Sequence, residues 1–250
     1  MYWKHAVLAL TVAVSVFTSS LGHAQQNDDA DMGLALRLAV LLQSARSVIG
    51  AEQARINDPA IGDKGLSGQE VLARATKAFV TKTGAPPLSA GADPREAKLV
   101  EAMMASITEV MDANADSINQ QGVAFKGFVP AVFGRLVTES FKSKVGDIAQ
   151  IKVTAPMNLV RNRKSRPDEW ETKVITEKLL AADWKKGAVY SSLTEATGRQ
   201  AFRVMVPEYY GEGCLACHGG PAGEVDITGY PKEGGALGDL GGAISIQLFR

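Results

Sequence analysis

The stretch AVYSSLTEATGRQAFRVMV, residues 188–206, decides the fold. Ala188 to Leu193 and Arg199 to Val206 are two strand-like runs, and Ala196-Thr197-Gly198 between them supplies turn chemistry. Two such runs joined by a short Gly-containing turn predict an antiparallel hairpin. In the second run Ala201, Arg203 and Met205 alternate with Phe202, Val204 and Val206. Alternate residues of a strand point to opposite faces, so this strand lies in a sheet with chemistry on both sides.

Working outward, the pattern extends in both directions. Upstream, from Ile148, Ile151 and Val153 alternate with polar neighbours and predict a strand; Pro167 then opens a helix through Trp170, Val174, Ile175 and Leu179. Downstream, a Gly-rich loop from Gly219 to Gly242 leads to a last strand, Ala243 to Phe249. The first half reads differently. Leu34, Leu38, Leu41, Leu42, Ala45 and Ile49 recur at helical spacing and predict one long amphipathic helix from about Met32 to Asn57, stopped before Pro59. Ser67 with Glu70 is a capping-box pattern for a second helix. Asp93-Pro94 with Glu96 opens a third carrying Leu99, Met103, Ile107 and Met111, and a fourth runs from Pro130 to Lys144. Helices followed by strands predict an α+β fold, with an antiparallel sheet flanked by long N-terminal helices.

The chain has 250 residues and equal numbers of basic and acidic side chains, 27 each. Its first 24 residues read as a leader: Lys4 gives a positive start, Ala6 to Phe17 is apolar, and Gly22-His23-Ala24 ends in the small-residue pattern of a cleavage site. That apolar run is far shorter than the roughly 20 residues that span a bilayer, and no later stretch is expected to reach that length. Cleavage after Ala24 is expected to leave a periplasmic protein without a membrane span. It removes Lys4, His5 and His23, leaving 26 basic against 27 acidic residues and one histidine, His218. Such a chain has no basic field for nucleic acid. Residues 25–119 are read as a helical segment packed on a C-terminal domain of residues 120–250.

The chemistry sits just after the hairpin. Cys214-Leu215-Ala216-Cys217-His218 is a Cys-x-x-Cys-His motif, and its cysteines are the only two in the chain. Two thiols at this spacing can each add to a vinyl group of one porphyrin while the histidine reaches the iron, so the expected cofactor is one covalently attached haem c. Zinc would need a fourth ligand, which only a carboxylate could supply once the leader is gone. A thioredoxin-like pair would follow a strand in a βαβ unit, not lie in a loop between antiparallel strands.

Several blocks resemble the single-haem c-type domain family with a PAS-like fold, first described as a domain of unknown function and exemplified by a cyanobacterial haem protein. They are Lys152-Val153-Thr154-Ala155-Pro156, Arg161-Asn162-Arg163, Pro167-Asp168-Glu169-Trp170-Glu171, Cys214 to Gly219, and Leu237 to Ser245. Gln53, Asn57-Asp58-Pro59 and Gly62-Asp63-Lys64-Gly65 look like the family's helical lead-in. The resemblance implies a PAS-like sheet, a haem at Cys214, Cys217 and His218, and redox sensing, small-ligand sensing or single-electron transfer. The cyanobacterial relative uses a distal thiolate from its helical segment; here both cysteines lie in the motif, so that feature does not carry over.

A second histidine on the iron is likewise excluded within one mature chain. Methionine sulfur is the remaining strong distal candidate, from Met32, Met103, Met104, Met111, Met157 or Met205, although core packing explains Met103, Met111 and Met205 as well. Gln53 or Asn57 could face a distal pocket, with capping as the plainer role. Arg161 and Arg163 are candidate partners for the haem propionates, since a guanidinium fork binds carboxylates bidentately. The expected partners are a redox protein or a membrane-bound signalling protein, and a diatomic ligand at the iron. A haem-dependent peroxide-reducing enzyme is the alternative, disfavoured because the chain offers no distal histidine for acid–base work.

Overall fold

The structure is a computed structural model that describes the backbone of residues 15–196 and 198–250 and the side chains of residues 25–195 and 198–250. The expected leader falls on residues 1–24, of which 1–14 lie outside the described residues. Thr197 of the hairpin turn also lies outside them. Helices α1 (Ser15–Ala51), α2 (Gln53–Ile56), α3 (Gly68–Thr83), α4 (Pro94–Ala113), α5 (Ala115–Asn119) and α6 (Pro130–Val145) come first. Strand β1 (Ala149–Thr154), helix α7 (Glu169–Val174), strands β2 (Tyr190–Ala196) and β3 (Arg199–Tyr209), helix α8 (Leu215–His218) and strand β4 (Leu240–Phe249) follow. The fold is α+β, with one antiparallel sheet in the order β1-β4-β3-β2.

Local chemistry sets most of the boundaries. Ser67 caps α3 by accepting from the Glu70 amide, and Asp93 caps α4 by accepting from the Arg95 and Glu96 amides ahead of Pro94. Each such cap stabilises its helix by roughly 1 kcal/mol. Asp168 and Glu171 form a reciprocal capping box at α7, and a single π-helical turn, Ile175–Leu179, continues that helix.

The first helix departs from expectation at both ends. It is continuous from Ser15 rather than from Met32, and it breaks at Glu52 before the short α2. Ion pairs tie down the turn just before Met32: Arg250 reaches Asp28 and Asp31, and Arg95 also reaches Asp31. At the other end Glu52 leaves the helix line to pair with Arg74. By length and composition alone Gln25–Ala51 is apolar enough to cross a membrane, with a mean hydropathy of 1.4 over its most apolar stretch, half of which is buried inside the protein. Leu38, Leu41, Leu42, Ala45 and Ile49 are fully buried, so the stripe packs as core.

The sheet separates two environments. Phe202 and Val204 of β3, Ile244, Ile246 and Leu248 of β4, and Ala149 and Ile151 of β1 join the apolar sides of α1, α3, α4 and α6 in one core. On the opposite face Met205 and Ala243 pack with Val174, Ile175 and Leu179. An ionic network pins α7 there. Arg203 meets Asp168 at 2.7 Å and Glu171 at 3.4 Å and lies over the Trp170 ring at 4.2 Å, while Lys152 also reaches Glu171.

Gly68 is the tightest point of the helical layer. Its amide donates to Asp112 Oδ1 at 2.7 Å, and a Cβ there would lie 2.8 Å from Thr108 Cα. Gly68→Ala must therefore separate α3 from α4. Overpacking of this kind costs about 1–3 kcal/mol. Thermal denaturation is expected to register that loss, and an unchanged midpoint would contradict the close approach.

Candidate functional site

The strand that opens the site ends irregularly. Between Glu208 and Tyr209 the register of β3 against β4 shifts, so that Glu208 faces Gly242 and Tyr209 faces Leu240. A bulge of this kind bends a strand and re-aims the chain beyond it. The chain then makes a 3-10 turn, Glu212–Cys214, and enters the single turn of α8. Three residues apart on one helical turn, Cys214 and Cys217 share a side. Both are free thiols, Cys214 exposed and Cys217 half-buried. Burial first, and then the Asp226 carboxylate, push the Cys217 thiol up.

His218 is fixed from two directions. Its Nδ1 lies 2.9 Å from Glu233 Oε2, and its ring stacks on Tyr210 with centroids 5.0 Å apart and an interplanar angle of 17°. Against a carboxylate Nδ1 acts as the donor, and Nε2 makes no hydrogen bond among the described residues. The side chain remains 29% exposed. Tyr210 is itself clamped: a Cβ at Gly235 would lie 2.6 Å from its Cε2, and one at Gly241 would overlap its ring. Burial and then the negative charge of Glu233 push the Tyr210 hydroxyl up to about 12, so the ring that supports the imidazole is neutral.

Arg161 binds the whole arrangement together. Its Nε and Nη2 donate to Glu233 at 2.9 and 3.1 Å, its Nη1 to Asp226 at 2.6 Å, and its Nη2 to the Cys217 carbonyl at 2.9 Å. The guanidinium also lies 5.5 Å from the Tyr230 ring centroid. The Asp226 side chain is 0% exposed. Burial alone would raise its carboxyl, but hydrogen bonds from Thr228 and Arg161 outweigh that and hold it far below the usual carboxylate range. Glu233 is lowered too: burial opposes, while Arg161 and His218 donate to it. The loop from Gly219 to Asp239 is thus folded on itself, with Val225 bridging Pro231 and Asp226 and Tyr230 joined through their backbones.

The structure brings Arg161 to the motif together with Cys214, Cys217 and His218. Its donors go to protein carboxylates, the Thr228 hydroxyl and the Cys217 and Pro231 carbonyls. Arg163 is not brought there; it is exposed on the 3-10 turn Arg163–Ser165, and its side chain makes no hydrogen bond among the described residues. Met103, Met111 and Met205 are fully buried in the two apolar clusters, whereas Met157 is exposed. Gln53 donates to the Ile49 and Phe128 carbonyls, and Asn57 accepts from the Lys126 amide, so both brace the end of the first helix. Among the described residues no group of three or more His, Cys, Asp and Glu side chains is gathered to hold a metal ion.

One further residue enters from the helical layer. Arg46 of α1 reaches both Glu208 oxygens at 2.6 Å, and Gly134 of α6 leaves room for its side chain. Burial works against its charge, but Glu208 and then Cys214 raise its pKa, and its Nε is buried without a partner. Sequence reasoning missed Arg46, Tyr210, Asp226 and Glu233. Arg46 left a trace, as a charge beside the apolar stripe of Leu42, Ala45 and Ile49. The other three left none.

Fold and site together define a class: an α+β protein with a four-stranded antiparallel sheet that presents Cys-x-x-Cys-His on a folded loop at one end of the sheet. Residues 89–248 match the Tll0287-like family. That span is more than half of the chain, and the chain belongs to this family. No curated protein and no solved structure matches it.

Arg161→Met would leave Asp226 buried beside Glu233 without the intervening cation. Breaking a buried pair in this way costs about 3–5 kcal/mol. Adding Asp226→Asn to the same chain is expected to recover part of the loss in chemical denaturation. The pH dependence comes from the depressed carboxyl. Its contribution is complete above the unfolded value of about 3.9 and is lost as pH falls toward the folded one. The stability gap between the parent and Asp226→Asn should therefore hold from neutral pH to about pH 5 and narrow below about pH 4. A gap that widens on acidification would contradict this sign.

Proposed function

We propose that the chain is a periplasmic single-haem c-type protein that senses redox state or a small diatomic ligand, or passes single electrons. The observation that carries this reading is the setting of His218: Nδ1 against Glu233, Nε2 without a hydrogen-bond partner among the described residues, and two free thiols on the adjacent turn. A metal-ligating histidine characteristically donates its other ring N–H to a carboxylate or carbonyl. The donor set fits a covalently attached haem, with Cys214 and Cys217 to hold it and His218 Nε2 to reach the iron. Exposed Val225, Ile227 and Leu237 on the same loop offer apolar cover for a porphyrin.

When bound, the haem would supply reversible one-electron chemistry. The protein's part is positional. Tyr210 supports the imidazole face, Glu233 sets its tautomer, and Arg161 fixes Glu233 and the Cys217 carbonyl at once. Arg46, paired with Glu208 and with its charge supported next by Cys214, is a further positive group from the helical layer at the motif. The reading of residues 1–24 as a leader supports export, which haem attachment in the periplasm requires. The partner is then a redox protein or a membrane-bound signalling protein. Peroxide reduction is the second reading, favoured by one observation: a carboxylate-bonded proximal histidine is a strong donor to iron.

Expression with haem-maturation machinery is expected to give a covalently coloured protein, and Cys214→Ala with Cys217→Ala to give a colourless one. Covalent haem surviving in the double variant would contradict the assignment. Carbon monoxide added to the reduced protein separates the finer readings. An unshifted spectrum means a ligand on both sides of the iron and electron transfer or redox sensing. Rapid binding means an open site suited to gas sensing or peroxide.

A further inference from the structure

We infer that Glu233 is the positioning residue that sets the electron-donating strength of His218 and thereby holds the iron at a low reduction potential. This rests on the haem reading above and deepens it. Three observations carry it. The Glu233 to His218 contact is 2.9 Å, short enough for a charge-assisted hydrogen bond. Glu233 is mostly buried and is a carboxylate already held through both oxygens by Arg161, at 2.9 and 3.1 Å, so it cannot swing away from the imidazole. The ring is stacked on Tyr210, whose own position is fixed by the glycines at 235 and 241. The imidazole therefore has one orientation, one tautomer and one partner.

A carboxylate acceptor raises the basicity of a metal-bound imidazole more than a neutral carbonyl does. Greater donation stabilises ferric iron over ferrous iron, which lowers the potential. Arg161 tempers the effect by sharing the carboxylate charge. Glu233 touches a ligand rather than a substrate, so its role is to position and tune.

The test compares Glu233→Gln with the haem-loaded parent by redox titration. Glutamine keeps an acceptor but loses the charge, and the potential is expected to rise. Glu224→Gln is the control, since it removes a carboxylate charge from the same loop, where Glu224 pairs with Lys232, without touching His218 or Arg161. It is expected to move the potential far less. A potential unmoved by Glu233→Gln, or moved equally by both variants, would overturn the inference and leave the haem reading standing. Absence of covalent haem from the parent would overturn both. A second measurement covers a variant that does not fold. After leader removal His218 is the one histidine, so nitrogen-15 NMR of the haem-free parent reads a single imidazole. The proton is expected on Nδ1 in the neutral ring. An Nε2–H tautomer would overturn the inference.

Discussion

The guanidinium of Arg161 is the contact on which the site depends. Asp226 and Glu233 are both carboxylates, both withdrawn from solvent, and both drawn to one point of a loop that is otherwise rich in glycine. Two like charges in a poorly hydrated place repel strongly. They coexist because Arg161 lies between them and donates to each, and its remaining donor reaches the Cys217 carbonyl within the motif itself. A segment following β1 thereby sets the position of a helical turn that follows β3. His218 inherits its orientation from that chain of contacts, through Glu233.

The sheet explains why the site lies where it does. Its inner face is committed to the helical layer and its outer face to α7, through an apolar cluster and the Arg203 network. Neither face leaves a place for reactive side chains. The end of β3 does, because the register shift at Glu208 and Tyr209 releases the chain from the ladder. The helical layer still reaches this end through Arg46, which crosses from α1 to Glu208 beside Cys214. The long first helix thus serves both the core and the edge of the site.

The features legible in the sequence were local. The caps at Ser67 and Asp93 act over two or three residues, and the hairpin around Gly198 announces itself by alternation. The Cys-x-x-Cys-His motif is likewise contiguous. The sequence did not reveal the partners of Arg161, which lie 56 to 72 residues away, or those of Arg250, which lie 219 and 222 residues away. Ion pairs over such separations impose no period on the chain. The N-terminal extension of α1 escaped for the same reason, since Asp28 and Asp31 look like ordinary surface acids until Arg250 and Arg95 are folded against them. Arg161 was found for its residue type and place, yet its donors face protein carboxylates.

The central claim is that Cys214 and Cys217 carry one haem beside His218. Intact-mass measurement of the protein matured with haem-attachment machinery tests it most directly. One species is expected, heavier than the processed chain by a single haem and resistant to extraction with acidified organic solvent. A chain at its bare mass, or one lighter by two hydrogens through a Cys214 to Cys217 disulfide, would contradict it.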